Sequence, residues 1–210
     1  LSLLSIGKRS TPQSLANYIG PIFSLAKKRS NYDTAPKENE AAIFALAIYA
    51  GHHRFANLVG DVQPKKGKVA QPKAKPILKS RTDLNQHFIF SAALKILSEQ
   101  GLSIAIGEFK ELMDRSDEGS GYSFVDLAAD FAGVEFAIVA TNPSSASSVQ
   151  TLLAGTTNEN VFFPNIDGLP EGLSKSDFTR IFTEVDSHEY LEMVRSINQR
   201  IAELPIHQSR

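Results

Sequence analysis

The segment Lys110-Glu111-Leu112-Met113-Asp114-Arg115, Ser116-Asp117-Glu118-Gly119-Ser120-Gly121, Tyr122-Ser123-Phe124-Val125-Asp126-Leu127-Ala128-Ala129-Asp130-Phe131-Ala132-Gly133 reads as helix, glycine-rich turn, helix. Gly119 and Gly121 bracket Ser120, so the backbone is free to take positive φ on either side. Ser123 has the chemistry of an N-cap, and Asp126 three residues on completes a pair resembling a capping box. Phe124, Leu127, Ala128 and Phe131 share one apolar face of the second helix. Asp126 and Asp130 are four apart and therefore stack one turn above the other on a different face. As an isolated pair they would be a cap and a solvated carboxylate.

The preceding helix adds more acid. Ile104, Ala105, Phe109, Leu112 and Met113 supply its core side, with Glu108, Glu111 and Asp114 beside it at intervals of three. A short turn makes the two helices pack antiparallel or at an angle. Glu111 or Asp114 would then approach Asp126 or Asp130, and carboxylates forced together raise one another's pKa or recruit a cation.

A second signal lies upstream. In Arg81-Thr82-Asp83-Leu84-Asn85-Gln86-His87-Phe88-Ile89-Phe90-Ser91, the residues Asp83, His87 and Ser91 are spaced four and four and form one polar line. Leu84, Phe88, Ile89, Ala92, Ala93 and Ile96 cover the apolar side. Such a line is either an intrahelical hydrogen bond or the wall of a cleft, and histidine is the side chain that titrates near neutrality.

Taken together, Asp-x3-His-Phe, an apolar helix, Lys-Glu-Leu-x-Asp and Gly-Ser-Gly-x-Ser-x2-Asp-Leu-x2-Asp-x-Ala-Gly resemble the YfiM-type family of small bacterial envelope lipoproteins. A fainter pattern is similar to VanZ-like membrane proteins. The likeness covers Thr82 to Gly133, and it implies a bacterial envelope context, periplasmic or associated with the outer membrane, without implying a reaction. The chain departs from that family in having no Cys to carry a lipid and long extensions on both sides.

Composition sets wider bounds. A chain of 210 residues with 42% hydrophobic and 21% charged residues suits one globular domain with a substantial core. A net charge of −1 argues against a general nucleic-acid binder. The absence of Cys excludes disulfides, thiolate metal sites and a Cys nucleophile. No apolar run reaches the length of a membrane-spanning helix. Leu1-Ser2-Leu3-Leu4-Ser5-Ile6 reads as the trimmed edge of a signal segment.

Outside the central motif, residues 14–29 read as a short amphipathic helix that Pro21 should break or kink. Asn31 to Asn39, with Pro36, reads as a loop, and Glu40 to Leu58 as a central buried helix interrupted by Gly51-His52-His53-Arg54. From 63 to 81 the chain is rich in Pro and Lys, which predicts an exposed, extended connection able to meet polyanions. Val134 to Ala140 fits helix or strand. Asn142 to Ser148 reads as turn and loop, and Val161-Phe162-Phe163-Pro164 as an apolar plug. The scaffold over 174–205 has Ser174 capping a helix with Phe178, Ile181 and Phe182 inward. A last helix follows, with an apolar stripe of Tyr190, Val194, Ile197, Ile201 and Leu204, ended by Pro205.

These signals predict a mostly α, single-domain bundle of about seven helices with long loops and at most a minor hairpin. Two functional classes fit. One is a cell-envelope hydrolase or lyase acting on glycan or a phosphorylated envelope component. Glu111 would be its general acid, Asp126 or Asp130 its base or charge stabiliser, and His87 would orient substrate or shuttle the proton; Ser91, Asp114, Ser120 and Ser123 would line the substrate. The other is a non-catalytic envelope or interaction protein whose polar residues form a structural network. Between them stands a cation site built from Glu111, Asp114, Asp126 and Asp130, a donor set suited to Mg or Ca rather than Zn.

Overall fold

Gly133 has no side chain, and in the computed structural model its Cα lies directly against the backbone carbonyl of Phe88. A Cβ there would collide with that carbonyl. This contact joins two 18-residue helices, α3 (Thr82–Glu99) and α4 (Phe124–Thr141), which form the most extensive helix pair among the described residues. Those residues are 6–31, 33–59, 71–99 and 121–208. The faces that meet are made largely of small residues: Ala92 and Ala93 on α3, and Ala129, Ala132 and Gly133 on α4, all buried. The α4 helix runs unbroken through Val134 to Ala140, so that stretch is helix rather than strand.

Around this pair lie α1 (Ala16–Arg29), α2 (Ala35–Leu46), α5 (Ala146–Leu153), α6 (Lys175–Phe182), α7 (His188–Ala202) and α8 (Pro205–Gln208). The protein is thus a mostly α, single-domain helical fold, with three isolated β-bridges and no sheet among the described residues. Phe88 is fully buried at the centre, its ring 5.2 Å from Phe136, 5.5 Å from Phe162 and 5.9 Å from Phe163. The apolar plug at 161–164 thereby covers one flank of the α3–α4 pair. Each buried Phe contributes about 1.5–3 kcal/mol of transfer free energy. A second aromatic group, Tyr122, Phe124, Phe178, Phe182 and Tyr190, fastens α6 and α7 to the start of α4.

Several boundaries differ from the sequence reading. The α1 helix continues through Pro21 instead of stopping there. The α2 helix begins at Ala35, inside the stretch read as loop, because Pro36 sits in its first turn, where its missing N–H costs nothing. Asn39, also assigned to that loop, is fully buried; its Nδ2 donates to the carbonyl oxygens of Ala140 (2.7 Å) and Ala146 (3.1 Å), tying α2 to the α4–α5 corner. The helix expected over 40–58 gives way to a π-helical turn, Ala47–Gly51, and then a 3-10 turn, His53–Asn57. His52 and His53 stack at that break, 4.6 Å apart. Over 71–81 the connection is irregular, but it is not simply exposed. Leu78 is fully buried, and Ile77 exchanges backbone hydrogen bonds with Gln13 and Leu15. The apolar Pro76-Ile77-Leu78 docks despite its lysine-rich surroundings. Ile181, expected inward, is 43% exposed, whereas Phe182 is buried. Ser174 and Ser187 cap α6 and α7, their hydroxyls accepting from Asp177 N (3.1 Å) and Tyr190 N (3.2 Å).

Two glycines give direct tests. Gly133→Ala adds helix propensity, yet its methyl must push apart two backbones. Overpacking of this kind costs about 1–3 kcal/mol, so the chemical denaturation midpoint should fall. Gly121 has φ +73° and a Cβ there would meet Leu173 O at 2.7 Å. Gly121→Val should therefore cost at least about 1–2 kcal/mol, read in the same assay; an unchanged midpoint would mean that the turn relaxes freely.

Candidate functional site

The polar line of α3 and the two aspartates of α4 face one another beside the Gly133 crossing. Phe88 at the crossing is the neighbour of His87, and Gly133 lies three residues beyond Asp130. The close backbone approach therefore carries these side chains to within bonding distance. Asp130 Oδ1 accepts a hydrogen bond from Ser91 Oγ at 2.7 Å and lies 3.2 Å from His87 Nδ1. A carboxylate offers only acceptors, so the hydrogen bond places a proton on His87 Nδ1. In the neutral imidazole Nε2 is then the basic nitrogen. The Ser91 hydroxyl points to Asp130 and not to His87, so the three do not form a serine-nucleophile relay. The His87 side chain is 14% exposed and that of Asp130 37%, which puts the pair at the edge of the molecule rather than in a closed core.

One turn back, Asp126 starts α4. Its backbone N–H donates to Ser123 Oγ at 3.0 Å, so Ser123 is the N-cap that the sequence indicates. The Asp126 side chain is held differently from that of Asp130. Its Oδ1 is buried and has no hydrogen-bond partner among the described residues. Arg81 Nη2 lies 3.6 Å from that oxygen, beyond hydrogen-bond range. Burial raises the Asp126 pKa above the ordinary carboxylate value. The charge of His87, the Ser123 hydrogen bond and Arg81 act against that rise, and the charge of Asp83 adds to it.

Arg81 enters from the docked connection. Leu78 and Arg81 exchange backbone hydrogen bonds of 2.8 and 3.0 Å around a two-residue turn. In that turn Lys79 and Ser80 have φ of +48° and +64°. Glu159 anchors the turn: its carboxylate accepts from Lys79 N (2.9 Å) and Ser14 Oγ (2.5 Å). The Arg81 guanidinium bonds Asp83 Oδ2 through Nη2 (2.6 Å) and Glu171 Oε2 through Nη1 (2.5 Å). Its pKa is raised by these partners. For Asp83, burial acts upward, but the hydrogen bonds and charge of Arg81, with backbone N–H groups, outweigh it and hold the pKa below the usual value. Asp83 and Asp126 thus flank one guanidinium with opposite proton affinities.

His87, Ser91, Ser123, Asp126 and Asp130 are therefore brought into one region. Glu111, Asp114 and Ser120 lie outside the described residues. Among the described residues, no three His, Asp or Glu side chains are arranged to hold a metal ion, so Asp126 and Asp130 do not form a cation site with neighbours described there. Sequence reasoning missed Arg81 and Glu171. Arg81 closes the Pro- and Lys-rich connection, and its position two residues before Asp83 is the signal that points to it. Glu171 arrives from a loop 90 residues away with no local signature.

A helical domain with a carboxylate–histidine cluster at its main helix crossing is the class that fold and site define. Comparison of the chain with family models, with curated proteins and with solved structures finds no match.

The pKa of Asp126 gives a pH prediction. Because its folded value is raised, its contribution to stability is complete below the ordinary carboxylate pKa and is lost as pH rises through the folded value. Asp126→Asn mimics the protonated form. The variant should melt no higher than wild type at pH 3 and gain on wild type as the pH rises to 7. A gap that is the same at both ends would show that Asp126 is not the titrating group.

Proposed function

We propose that this chain is a bacterial cell-envelope hydrolase or lyase, periplasmic or associated with the outer membrane, that acts on a glycan or a phosphorylated envelope component. The observation that carries the reading is the Asp130 carboxylate bonded to His87 Nδ1 on a partly exposed face. Asp130 orients the imidazole through Nδ1, and His87 serves as the general base. Asp126, whose burial favours the protonated form, serves as the acid. Glu111 is the alternative acid, lying outside the described residues. The envelope setting rests on the resemblance over Thr82 to Gly133.

A second reading has its own support. Asp130 bonds His87 and Ser91 across α4 and α3, and Arg81 joins Asp83 on α3 to the Glu171 loop, so the cluster also serves as a structural tie. In that case the chain is a non-catalytic envelope or interaction protein. Leaving one buried member unpaired would cost about 1–3 kcal/mol.

The test is a screen of wild type against peptidoglycan, simple glycans and phosphoesters, with and without Mg²⁺ or Ca²⁺, alongside Asp130→Asn, Asp126→Asn and Glu111→Gln. Asp130→Asn should keep the fold and lower kcat about 10²–10⁴-fold. Of the two acid variants, the one that is silent at neutral pH identifies the proton donor. A wild type inactive on every substrate, together with an Asp130→Asn protein melting several degrees lower, would establish the structural reading instead.

A further inference from the structure

On the other side of the Lys79-Ser80 turn from the α3–α4 cluster lies an open groove of about 580 Å³. That volume falls within the roughly 300–1,000 Å³ of small-molecule sites. Its rim carries Lys79, Ser80, Asn160, Asn165 and Asp167, and its floor is Phe163, Ile166 and Leu204. We propose that this groove is a binding subsite for an uncharged saccharide.

Three observations carry the proposal. The first is preorganisation of both walls. On one wall two consecutive non-glycine residues, Lys79 and Ser80, are held at positive φ. These are the dihedrals of the two-residue reversal between Leu78 and Arg81, and the bonds around it hold the wall in place. Here the Glu159 carboxylate fixes Lys79 N, and Lys79 Nζ donates to Asn160 Oδ1 at 2.6 Å. On the other wall, Asn165 Oδ1 accepts from Asp167 N at 2.8 Å. Arg200 Nη1 clamps the same loop by donating to the carbonyl oxygens of Asn165 (2.9 Å) and Asp167 (3.0 Å).

The second is the donor and acceptor set that remains. With both amide oxygens engaged, Asn160 and Asn165 present Nδ2 donors. Ser80 offers a hydroxyl, and Asp167 a carboxylate on an exposed residue. Sugar hydroxyls donate and accept at once, so one ring satisfies both kinds of group. The third is charge and floor. Lys79 and Asp167 cancel, so an anion or cation attracted by one is repelled by the other. Half-buried Ile166, packed over the buried Phe163 and Leu204, offers an apolar contact for the C–H face of a sugar ring.

Ser80 on the groove wall precedes Arg81, which belongs to the candidate acid–base cluster on the opposite side of the turn. The inference extends the proposed activity without depending on it, because binding is measured without turnover.

The experiment is an NMR titration of the full chain with chitotetraose and with cellotetraose, using oligogalacturonate and inorganic phosphate as charged comparators. A neutral tetrasaccharide should give saturable shifts centred on the side-chain amides of Asn160 and Asn165, with Kd of order 1 mM. Asn165→Ala and Asp167→Ala, with unchanged melting, should each weaken it about tenfold or more, whereas Asp130→Asn should bind as wild type. The proposal is overturned by no saturable shift at about 10 mM sugar, by wild-type affinity in both groove variants, or by tighter binding of either anion. Loss of binding in Asp130→Asn alone would also overturn it, by moving the sugar to the α3–α4 cluster. Activity lost in Asp130→Asn with binding intact would keep the subsite and the catalytic reading apart.

Discussion

The contact between Gly133 and the Phe88 carbonyl is the constraint on which the rest of the structure depends. Two helices carrying ordinary side chains keep their axes about 8–10 Å apart. Removing the Cβ at the crossing lets the backbones touch, and the alanines on either side continue the close seam. The small-residue seam leaves little apolar side-chain area of its own. The large side chains are displaced outward, and Phe88 and Phe136 meet Phe162 and Phe163 at one flank of the pair. The seam also sets the reach of short polar side chains. Ser91, His87, Asp126 and Asp130 are too short to bridge a normally spaced pair at several levels. At this crossing Asp130 touches both Ser91 and His87.

The electrostatics follow from where each carboxylate falls relative to Arg81. Asp83 receives direct hydrogen bonds from the guanidinium, whereas Asp126 is a further increment away, at 3.6 Å, with one oxygen buried. Burial raises both pKa values; at Asp83 the Arg81 hydrogen bonds and charge outweigh it, whereas at Asp126 it outweighs the charge of His87, the Ser123 bond and the weaker pull of Arg81. Asp83 is paired enough for attraction to exceed its desolvation, and Asp126 is not. A buried charge is tolerable only with well-formed partners. The arrangement therefore keeps one acid ionised and the next one inclined to hold its proton, on the same face.

Much of this was legible in the sequence because it depends on periodicity. The four-residue spacings of Asp83, His87 and Ser91 and of Asp126 and Asp130 fix which side chains share a face, and Ser123 announces the start of α4 through its capping chemistry. The stripe of Tyr190, Ile197 and Ile201 likewise marks the buried side of α7. Pairings between distant segments were not legible. Glu171 reaches Arg81, Glu159 reaches Lys79, and Asn39 reaches Ala140 and Ala146, each across 80 or more residues. A polar residue bonded across such a gap has no periodic signature, so Asn39 and Pro36 looked like loop.

The connection before α3 shows how composition misleads in a specific way. Averaged over 63–81, lysine and proline suggest a solvated tether. Three consecutive residues, Pro76-Ile77-Leu78, are enough to change the outcome over the described part. Leu78 buries completely, and Ile77 pairs with the chain before α1. Once Leu78 is fixed, the path to the first turn of α3 is short, and the chain must reverse within two residues. Lys79 and Ser80 adopt positive φ for that reason, and the cost of about 1–2 kcal/mol per non-glycine residue in this region is met by the Glu159 and Asn160 bonds. The reversal aims Arg81 into the α3–α4 cluster and turns Lys79 and Ser80 toward the groove. One docked leucine thus orients a cation on one side of the turn and a hydrogen-bonding wall on the other.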